Sequence, residues 1–331
     1  MLKNKLTKAA LGVLLGGVAW MAHAAEAYPV LFGKDGWLFT PYEFATPTDA
    51  GDTQATIDLL VKTSKLFERK GIALALVIVP SKVRINGPQL PDEHPLDAYT
   101  DGKYDSAVQK LRAGGVNVVN LNQAFMGSPN RVGDNPVYLK QDTHWSPTGA
   151  MLAAETIKAA VDATPSLKAA WAATVPVEYT MAWAKGPTLW RARDLVHYLP
   201  KEQQNFAPER ALAFKVTRSR PSAAGLQGAG DPVGILVIGS SYSNPNTLYA
   251  DAIRYQLQRD VLNISIPVDQ GPWVGMEGYL GNDAYKTNPP RLVIWEIPER
   301  ELRSPPSAKF RDARYQSDNN AWLQRVTGLL Q

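Results

Sequence analysis

The sequence predicts an α/β fold in which a mostly parallel sheet is covered by helices. Two observations support this prediction. Five short segments are almost continuously apolar, and segments of helical length with one apolar face lie between most of them. Continuous apolar runs are typical of parallel strands that are buried on both faces. Strands that alternate with helices in this way are typical of layered α/β domains.

The candidate strands are bounded by residues that interrupt regular structure. Three of them end directly at such a residue, namely Pro80, Gly239 or Pro298. The five strands are predicted at Ile72–Val79, Val116–Leu121, Gly234–Ile238, Val261–Ile266 and Leu292–Ile297.

The candidate helices carry an apolar residue at every third or fourth position. In one of them Ser146 and Pro147 form a good N-cap and first helical position. The helices are predicted at Thr53–Lys70, Asp101–Ala113, Ser146–Ala163 and Asn246–Arg259, with a closing helix within Ser304–Gln331. The interval 164–232 has only weak periodicity, and we interpret it as an insertion over the sheet that contributes to a substrate groove.

The N-terminus predicts export from the cytoplasm. Three lysines precede an apolar run, and the small-x-small sequence Ala22-His23-Ala24 follows it. This pattern is typical of a secretory signal peptide, here residues 1–24 with cleavage after Ala24. The alternative is an uncleaved anchor that holds the protein on the periplasmic side of the inner membrane. Residues 25–331 are long enough for one large domain or two small ones, and we expect a single domain.

Charge and cysteine content exclude several classes of function. Three of the 35 lysines and arginines lie in the predicted signal peptide, whereas all 31 acidic residues follow it, so residues 25–331 carry a net charge of about +1. Net charge therefore gives no argument for nucleic acid binding. The absence of cysteine excludes disulfides, thiolate catalysis and thiolate metal sites. An exported chain without disulfides fits the bacterial periplasm.

Asp142 and His144 form the clearest candidate for a catalytic pair. In an extended or turn conformation, side chains two residues apart lie on the same side of the chain. The Asp142 carboxylate then accepts from Nδ1–H of His144 and leaves Nε2 free as a base. A solvent-facing or a metal-binding histidine is the alternative, but for a metal site the chain has no second histidine at ligand spacing.

Ser241 is the candidate nucleophile for that base. It follows the predicted strand that ends at Gly239 and precedes a predicted helix. Such a turn exposes a serine at the carboxyl edge of a parallel sheet and brings backbone N–H groups close to it. The motif differs from the G-x-S-x-G elbow, since Ser243 replaces the second glycine. A serine-rich turn without catalytic function is the alternative.

Four motifs resemble the SGNH-hydrolase-like O-acetyltransferases of the AlgJ/AlgX type, which acetylate exopolysaccharides such as alginate, with relatives that acetylate cellulose. The matching segments are 32–39 (FGKDGWLF), 140–149 (KQDTHWSPTG), 237–243 (VIGSSYS) and 293–300 (VIWEIPER). In this family the Asp-x-His motif precedes the serine, the reverse of ordinary SGNH hydrolases, and the present chain has the same order. The resemblance implies a three-layer α/β/α fold with a circularly permuted motif order, and a triad of Asp142, His144 and Ser241.

The oxyanion-binding side of the site is less well defined by the sequence. Ser240 occupies the aspartate position of the Gly-Asp-Ser motif, and Asn282 lies in a Gly-Asn-Asp run that lacks the residue found between glycine and asparagine in SGNH hydrolases. We expect the backbone N–H of Ser241 to be one donor and Arg300 to be a candidate for another.

Aromatic and basic residues suggest a groove for a sugar polymer. Trp145 and Tyr242 lie next to the catalytic residues in sequence and are candidates for stacking on a sugar face. Further candidates for this groove are Trp183, Trp190, Trp273 and Tyr279, with Arg191, Arg193 and Arg300 for carboxylates.

Three functions agree with these residues. The first is a periplasmic O-acetyltransferase that passes an acetyl group through Ser241 to a polysaccharide hydroxyl. The second is an acetylesterase with the same triad, and the third is a non-catalytic polysaccharide-binding subunit. We expect no cofactor and no metal. The resemblance implies an acetyl donor supplied by a membrane-bound O-acyltransferase, directly or through a carrier protein.

Overall fold

The computed structural model describes residues 30–219, 233–267, 270–309 and 312–331. The predicted signal peptide and the last part of the predicted insertion, 220–232, lie outside the described residues.

The described chain alternates between strands and helices for most of its length. The strands are β1 (Leu31–Phe32), β2 (Leu38–Phe39), β3 (Ala73–Val79), β4 (Asn117–Asn120), β5 (Tyr179–Trp183), β6 (Thr188–Leu189), β7 (Arg210–Ala211), β8 (Phe214–Arg218), β9 (Ile235–Gly239), β10 (Val261–Ser265) and β11 (Leu292–Pro298). The helices are α1 (Ala50–Arg69), α2 (Lys82–Ile85), α3 (Ala98–Ala113), α4 (Leu121–Met126), α5 (Pro147–Ala163), α6 (Pro165–Ala172), α7 (Asp194–His197), α8 (Tyr249–Leu257), α9 (Gly271–Gly281), α10 (Asp283–Thr287) and α11 (Asn319–Leu329).

The five predicted strands form one parallel sheet in the order β10-β9-β11-β3-β4. Each lies within two residues of its predicted bounds. β11 is the central strand, and all seven of its residues are buried. This burial explains why β11 has no alternation of polar and apolar residues.

Helices cover both faces of the sheet, which confirms the predicted α/β class and its three layers. Alternate residues of β3 point to opposite faces, so Ala75 and Val77 join one core while Leu74 and Leu76 join the other. The first core includes residues from α5, α6 and α8. The second includes residues from α1, α3, α9 and α11.

The strand order shows the circular permutation directly. If counting begins at β9, the order of the sheet becomes 2-1-3-4-5, the order of a common doubly wound fold. β9 and β11 are then the two strands at which the direction of winding reverses. Ligands bind outside the carboxyl ends of the strands at such a switch point, and Ser241 follows β9 at this place.

The predicted insertion is more ordered than its weak periodicity suggested. After α6, residues 175–219 form an arm in which β5 pairs with β8 and β6 pairs with β7, all antiparallel. The short helix α7 lies between β6 and β7 in the chain. The arm packs on α8 through β5 and β8. Its placement as an insertion within a single domain remains a prediction.

The predicted helices are confirmed with small shifts at their ends. The side chain of Ser146 caps α5 by accepting from the backbone N–H of Gly149, and Pro147 is the first helical residue. The closing helix is shorter than the interval 304–331, because it occupies Asn319–Leu329. Within the described residues, no helix has the length and apolar character needed to cross a membrane.

Candidate active site

A tight turn after β9 presents Ser241. The turn continues into a short 3-10 helix, Ser241–Ser243, in which the backbone N–H of Tyr242 donates to Oγ of the N-cap residue Ser240. Glu296 of the neighbouring strand β11 accepts from both the backbone N–H and the hydroxyl of Ser240. Gly239 has no room for a side chain, since a Cβ would overlap this carboxylate. The position of Ser241 is therefore fixed by the hydrogen bonds of the preceding residue, Ser240, to Glu296.

A second loop presents Asp142 and His144. Tyr138 and Trp145 pair as an antiparallel bridge and close the loop at its base. Inside it, Oδ1 of Asp142 accepts from the backbone N–H of His144 at 2.9 Å. This is the local side chain to backbone bond that aspartate favours in turns. This bond brings the Asp142 carboxylate beside the imidazole of His144.

The two loops meet to form a continuous chain of hydrogen-bonded atoms. Nδ1 of His144 lies 2.6 Å from Oδ1 of Asp142, and Nε2 lies 2.7 Å from Oγ of Ser241. The three residues predicted as a triad are thus brought together across 97 positions of sequence. The geometry is that of a nucleophile, a general base and an orienting carboxylate.

The charges of this relay reinforce one another. Burial alone would lower the pKa of His144, but the hydrogen bond and charge of Asp142 outweigh it, so the pKa of His144 lies above its ordinary value. For Asp142, burial raises the pKa, but the hydrogen bond and charge of His144 outweigh it and the pKa is lowered. A carboxylate that stays ionised is suited to stabilise an imidazolium as it forms.

Lys82 is a buried cation beneath the catalytic loop. It is 1 % exposed, and its ammonium donates to the backbone carbonyls of Leu38, Lys140 and Asp142. Burial lowers the pKa of Lys82 to about 8. Trp37 packs its ring 5.2 Å from the ammonium, so the motif at 32–39 forms one wall of this cage. Nothing in the local sequence indicated this role, because the three carbonyls come from distant segments.

The arm also holds the catalytic loop. The backbone N–H of Asp194 donates to Oδ2 of Asp142 at 2.9 Å, and the Asp194 carboxylate accepts from the backbone and side chain of Thr143. Further along the arm, Glu209 accepts from the backbone N–H groups of Lys140 and Gln141. Sequence reasoning missed both acids, because a polar, arginine-rich stretch gives no periodic signal.

Ser241 and His144 open into a cavity of about 290 Å³ between the arm and the nucleophile turn. On the arm side the lining includes Trp190 and Arg193, and on the turn side it includes Asn244 and Asn246. The Asn244 amide nitrogen forms no hydrogen bond with any described residue, whereas its oxygen accepts from the backbone N–H of Asn246. The asparagines follow the nucleophile closely in sequence, which is the signal that could have found them.

The structure corrects the expected roles of three neighbours of the relay. Trp145 belongs to the wall of the cavity, but its side chain is fully buried and packs on the rings of Tyr242 and Tyr249, so its face is not open to a sugar. Tyr242 is 1 % exposed and donates its hydroxyl to the carbonyl of Thr143. Arg300 is buried, pairs with Glu43 at 3.2 Å and lies over the Tyr242 ring. Tyr242 supports the catalytic loop through Thr143, and Arg300 contacts the Tyr242 ring, so the side chains of all three residues are buried in contacts within the protein.

The other groove candidates separate into two groups. Trp273 and Tyr279 belong to the core on the face of α9, so they do not line the cavity. Asn282 caps α10 through the backbone N–H of Ala284, and it also lies outside the cavity lining. Trp183 is exposed on the arm and packs on Phe214. Of the predicted groove residues, Trp190, Arg193 and the buried Trp145 line the cavity, and Arg191 lies exposed between Trp190 and Arg193 in sequence.

One cluster of described residues brings enough donor atoms together for a metal ion. Atoms of Asp142, His144 and Asp194 all lie within 4.8 Å of one another. The 2.6 Å bond between Asp142 and Nδ1 of His144 already uses two of these atoms, and a bound cation would have to break it. The arrangement fits a hydrogen-bonded relay better than a metal centre.

A three-layer α/β/α fold with a serine relay at the switch point of its sheet is typical of SGNH-hydrolase-like proteins. The chain belongs to the family described as "SGNH hydrolase-like domain, acetyltransferase AlgX", whose profile matches residues 30–299. It is accordingly an enzyme of the acyltransferase type.

Similarity to alginate O-acetylases and to AlgX supports this assignment. The probable alginate O-acetylase AlgJ of Pseudomonas aeruginosa is 30 % identical over 287 residues, which cover 82 % of this chain and 70 % of that protein. The corresponding protein of Pseudomonas syringae pv. tomato is 31 % identical over 283 residues, covering 82 % and 69 %. The alginate biosynthesis protein AlgX of Pseudomonas putida is 24 % identical, and the match spans 54 % of its length.

Solved structures agree with the fold. The O-acetyltransferase domain of Pseudomonas putida AlgJ superposes with a TM-score of 0.73 at 26 % identity, covering 90 % of this chain and 98 % of that one. AlgX of Pseudomonas aeruginosa superposes with a TM-score of 0.66 at 18 % identity, covering 91 % and 66 %. The second match speaks for the fold alone.

Proposed function

We propose that this protein is a periplasmic O-acetyltransferase that moves an acetyl group through Ser241 onto hydroxyl groups of alginate. The observation that carries the proposal is the relay itself, in which Nε2 of His144 lies 2.7 Å from Oγ of Ser241 and Nδ1 lies 2.6 Å from Asp142. A binding protein has no need for this arrangement beside an open cavity.

In the first half-reaction Ser241 takes the acetyl group from its donor. His144 accepts the hydroxyl proton of Ser241 as Oγ attacks the acetyl carbonyl. The tetrahedral intermediate collapses, the bond between acetyl carbon and donor breaks, and the imidazolium returns the proton to the departing donor group. Asp142 stabilises the imidazolium throughout, and the products are acetyl-Ser241 and free donor.

In the second half-reaction the sugar becomes the nucleophile. His144 accepts the proton of a sugar hydroxyl whose oxygen attacks the acetyl-serine carbonyl. The bond from the acetyl carbon to Oγ of Ser241 then breaks, and His144 returns the proton to Oγ. The net result is one sugar ester and the regenerated enzyme. Transfer requires that the hydroxyl be positioned better than water in the cavity.

Two donors near Ser241 are suited to bind the oxyanion. The backbone N–H of Ser241, at the start of its short helix, has no acceptor among the described residues. The free amide nitrogen of Asn244 lines the same cavity. Preorganised donors of this kind stabilise the charge that develops on the carbonyl oxygen. We assign both to the oxyanion site.

The arm provides the features that an acidic polysaccharide requires. Trp190 lines the cavity, and because its indole nitrogen is buried, it is the ring that can contact a ligand. Arg193 lines the same wall, and Arg191 is exposed without an ion pair to any described residue. Guanidinium groups pair well with carboxylates, and aromatic rings stack on sugars. The relatives named as alginate O-acetylases support alginate over cellulose as the acceptor.

The predicted signal peptide supports a periplasmic location for this reaction. An exported enzyme has no direct access to the cytoplasmic acetyl pool, so we propose that a membrane-bound O-acyltransferase supplies the acetyl group, directly or through a carrier protein. The chain's own residues need no cofactor for the chemistry described.

The proposal is tested by incubating residues 25–331 with a chromogenic acetyl ester and alginate oligosaccharides, with cellulose oligosaccharides in parallel. We expect mass spectrometry to find acetylated alginate with the native protein and none with Ser241→Ala. Release of acetate without sugar ester at any acceptor concentration would identify an esterase. Tight oligosaccharide binding without either product would identify a scaffold, and equal acetylation of cellulose would overturn the assigned acceptor.

A further inference from the structure

A second carboxylate lies beside the relay, on the side away from Ser241. Oδ2 of Asp194 is 3.8 Å from Nδ1 of His144. The same oxygen accepts from the Thr143 hydroxyl at 2.5 Å, and that hydroxyl lies 3.4 Å from Nδ1. Asp142 and Asp194 therefore flank the same ring nitrogen. Asp142 is hydrogen-bonded to it, and Asp194 lies 3.8 Å away.

The backbone and side chain of Asp194 contact different parts of the catalytic loop. Its backbone N–H donates to the free oxygen of Asp142, whereas its carboxylate holds the backbone N–H of Thr143 at 2.8 Å. Changes to the side chain leave the first of these bonds intact. The charge of Asp194 can therefore be removed without removing the donor to Asp142.

We propose that Asp194 is a positioning residue of the reaction, which fixes Thr143 beside the imidazole and supports the positive charge that His144 acquires. The proposal rests on the proposed function, because it assumes that His144 is the general base. An anionic group about 4 Å from an imidazole favours the protonated ring. The charge of Asp194 acts in the same direction as that of Asp142, since both raise the pKa of His144.

Other groups around the imidazole do not provide this support. Arg300 carries a positive charge and acts in the opposite direction. Tyr242 packs edge-on with its ring centre 4.9 Å from that of His144, and its hydroxyl is committed to Thr143. His197 lines the cavity on the same short helix as Asp194. Asp142 and Asp194 are thus the two acids that face the ring within the described residues.

Glu209 provides a matched control within the same arm. It is also a partly buried acid and holds the same catalytic loop, but through the backbone N–H groups of Lys140 and Gln141. Its carboxylate forms no hydrogen bond or ion pair with His144, whereas that of Asp194 lies 3.8 Å from Nδ1. Glu209→Gln therefore weakens the contact between arm and loop without removing a charge that lies beside the imidazole.

The experiment compares the native chain with Asp194→Asn, Asp194→Ser and Glu209→Gln in two measurements. The first is the pH dependence of kcat/KM for a chromogenic acetyl ester. The second is the NMR titration of His144, assigned by its loss in His144→Ala. In both Asp194 variants we expect the pKa of His144 and the acidic limb of the rate profile to move down by about one pH unit. In Glu209→Gln we expect neither to move.

An unchanged His144 pKa in a folded Asp194 variant would overturn the inference, as would an equal shift in Glu209→Gln. The serine variant serves if the asparagine variant does not fold, because it removes the charge without adding an amide donor. The NMR titration requires no turnover. If the native chain released no acetate, the proposed function would fail while the inference about the charge of Asp194 could still be confirmed or rejected.

Discussion

Glu296 accepts two hydrogen bonds from Ser240, one from its backbone N–H at 2.8 Å and one from its hydroxyl at 2.9 Å. It accepts a third from Ser243 at 2.9 Å. A carboxylate on the central strand therefore fastens both ends of the turn that presents Ser241. This contact explains how the turn is held although serine stands at the position where many SGNH hydrolases have aspartate.

Replacing Glu296 by alanine is expected to loosen this turn. Three buried donors lose their acceptor, so the free energy of unfolding should fall by about 3 kcal/mol. Ester hydrolysis should fall about tenfold or more, because Oγ of Ser241 is no longer held in line with His144. Urea unfolding and initial rates measure the two effects. Glu277→Ala, which removes an exposed ion pair with Arg325, should change stability by less than about 1 kcal/mol. Equal effects of the two substitutions would contradict this account.

Glu296 also predicts a pH dependence of stability. Burial raises its pKa from the ordinary value of 4.5 to about 7. The folded protein then binds this proton more tightly than the unfolded chain. The stabilisation is complete below about pH 4.5 and is lost as the pH rises through 7. We therefore expect the free energy of unfolding of the native chain to fall between pH 5 and pH 8, relative to that of Glu296→Gln, by about 2 kcal/mol. Urea unfolding at each pH measures this difference. A constant difference across this range would exclude the raised pKa.

Lys82 is expected to be essential for the catalytic loop. Lys82→Met fills the same space but leaves the carbonyls of Leu38, Lys140 and Asp142 without their donor, so the free energy of unfolding should fall by about 3 kcal/mol. Lys140→Met is the control, because the Lys140 ammonium contacts only the edge of the same cage, 5.9 Å from the Trp37 ring. It should cost less than about 1 kcal/mol. A mild Lys82 variant would show that the three carbonyls find other partners.

Trp190 is expected to bind the acceptor without affecting the acetyl donor. Trp190→Phe keeps an aromatic ring and loses only the buried indole N–H, so it should leave KM for alginate oligosaccharides within about twofold of the native value. Trp190→Ala removes the ring and should raise this KM about fivefold. Ester hydrolysis without sugar should stay close to the native rate. Trp183→Ala, on the same arm but outside the cavity lining, is the control and should leave KM unchanged. Parallel losses in KM and in ester hydrolysis would show that Trp190 holds the arm in place instead.

The sheet could be predicted from the sequence because its strands are buried on both faces. A run such as Leu292–Ile297 tolerates no polar residue except where one is paired, and that exception, Glu296, marks the nucleophile turn. The pair Asp142 and His144 could also be predicted, because both residues of the motif lie in one short loop and are close in sequence.

The remainder of the site depends on contacts between distant segments. Lys82 reads as the first residue of a short helix, and only the fold brings three carbonyls to its ammonium. Asp194 reads as one polar residue among arginines, and only the arm brings it to His144. The sequence predicts that Trp145 contacts a sugar because it follows His144. Successive side chains of this loop point to opposite sides, however, and the Trp145 side chain points into the core.

If the acetyl group passes through Ser241, an acetyl-serine intermediate forms and can be trapped before the acceptor removes it. The protein is mixed with a chromogenic acetyl ester without acceptor, quenched in acid within the first turnovers, digested and analysed by mass spectrometry. We expect one added acetyl group on the peptide that contains Ser241, removed when alginate oligosaccharide is added before the quench, with the acetyl recovered on the sugar. Acetylated sugar formed by Ser241→Ala at the native rate, with no acetyl group on the native Ser241 peptide, would contradict the account.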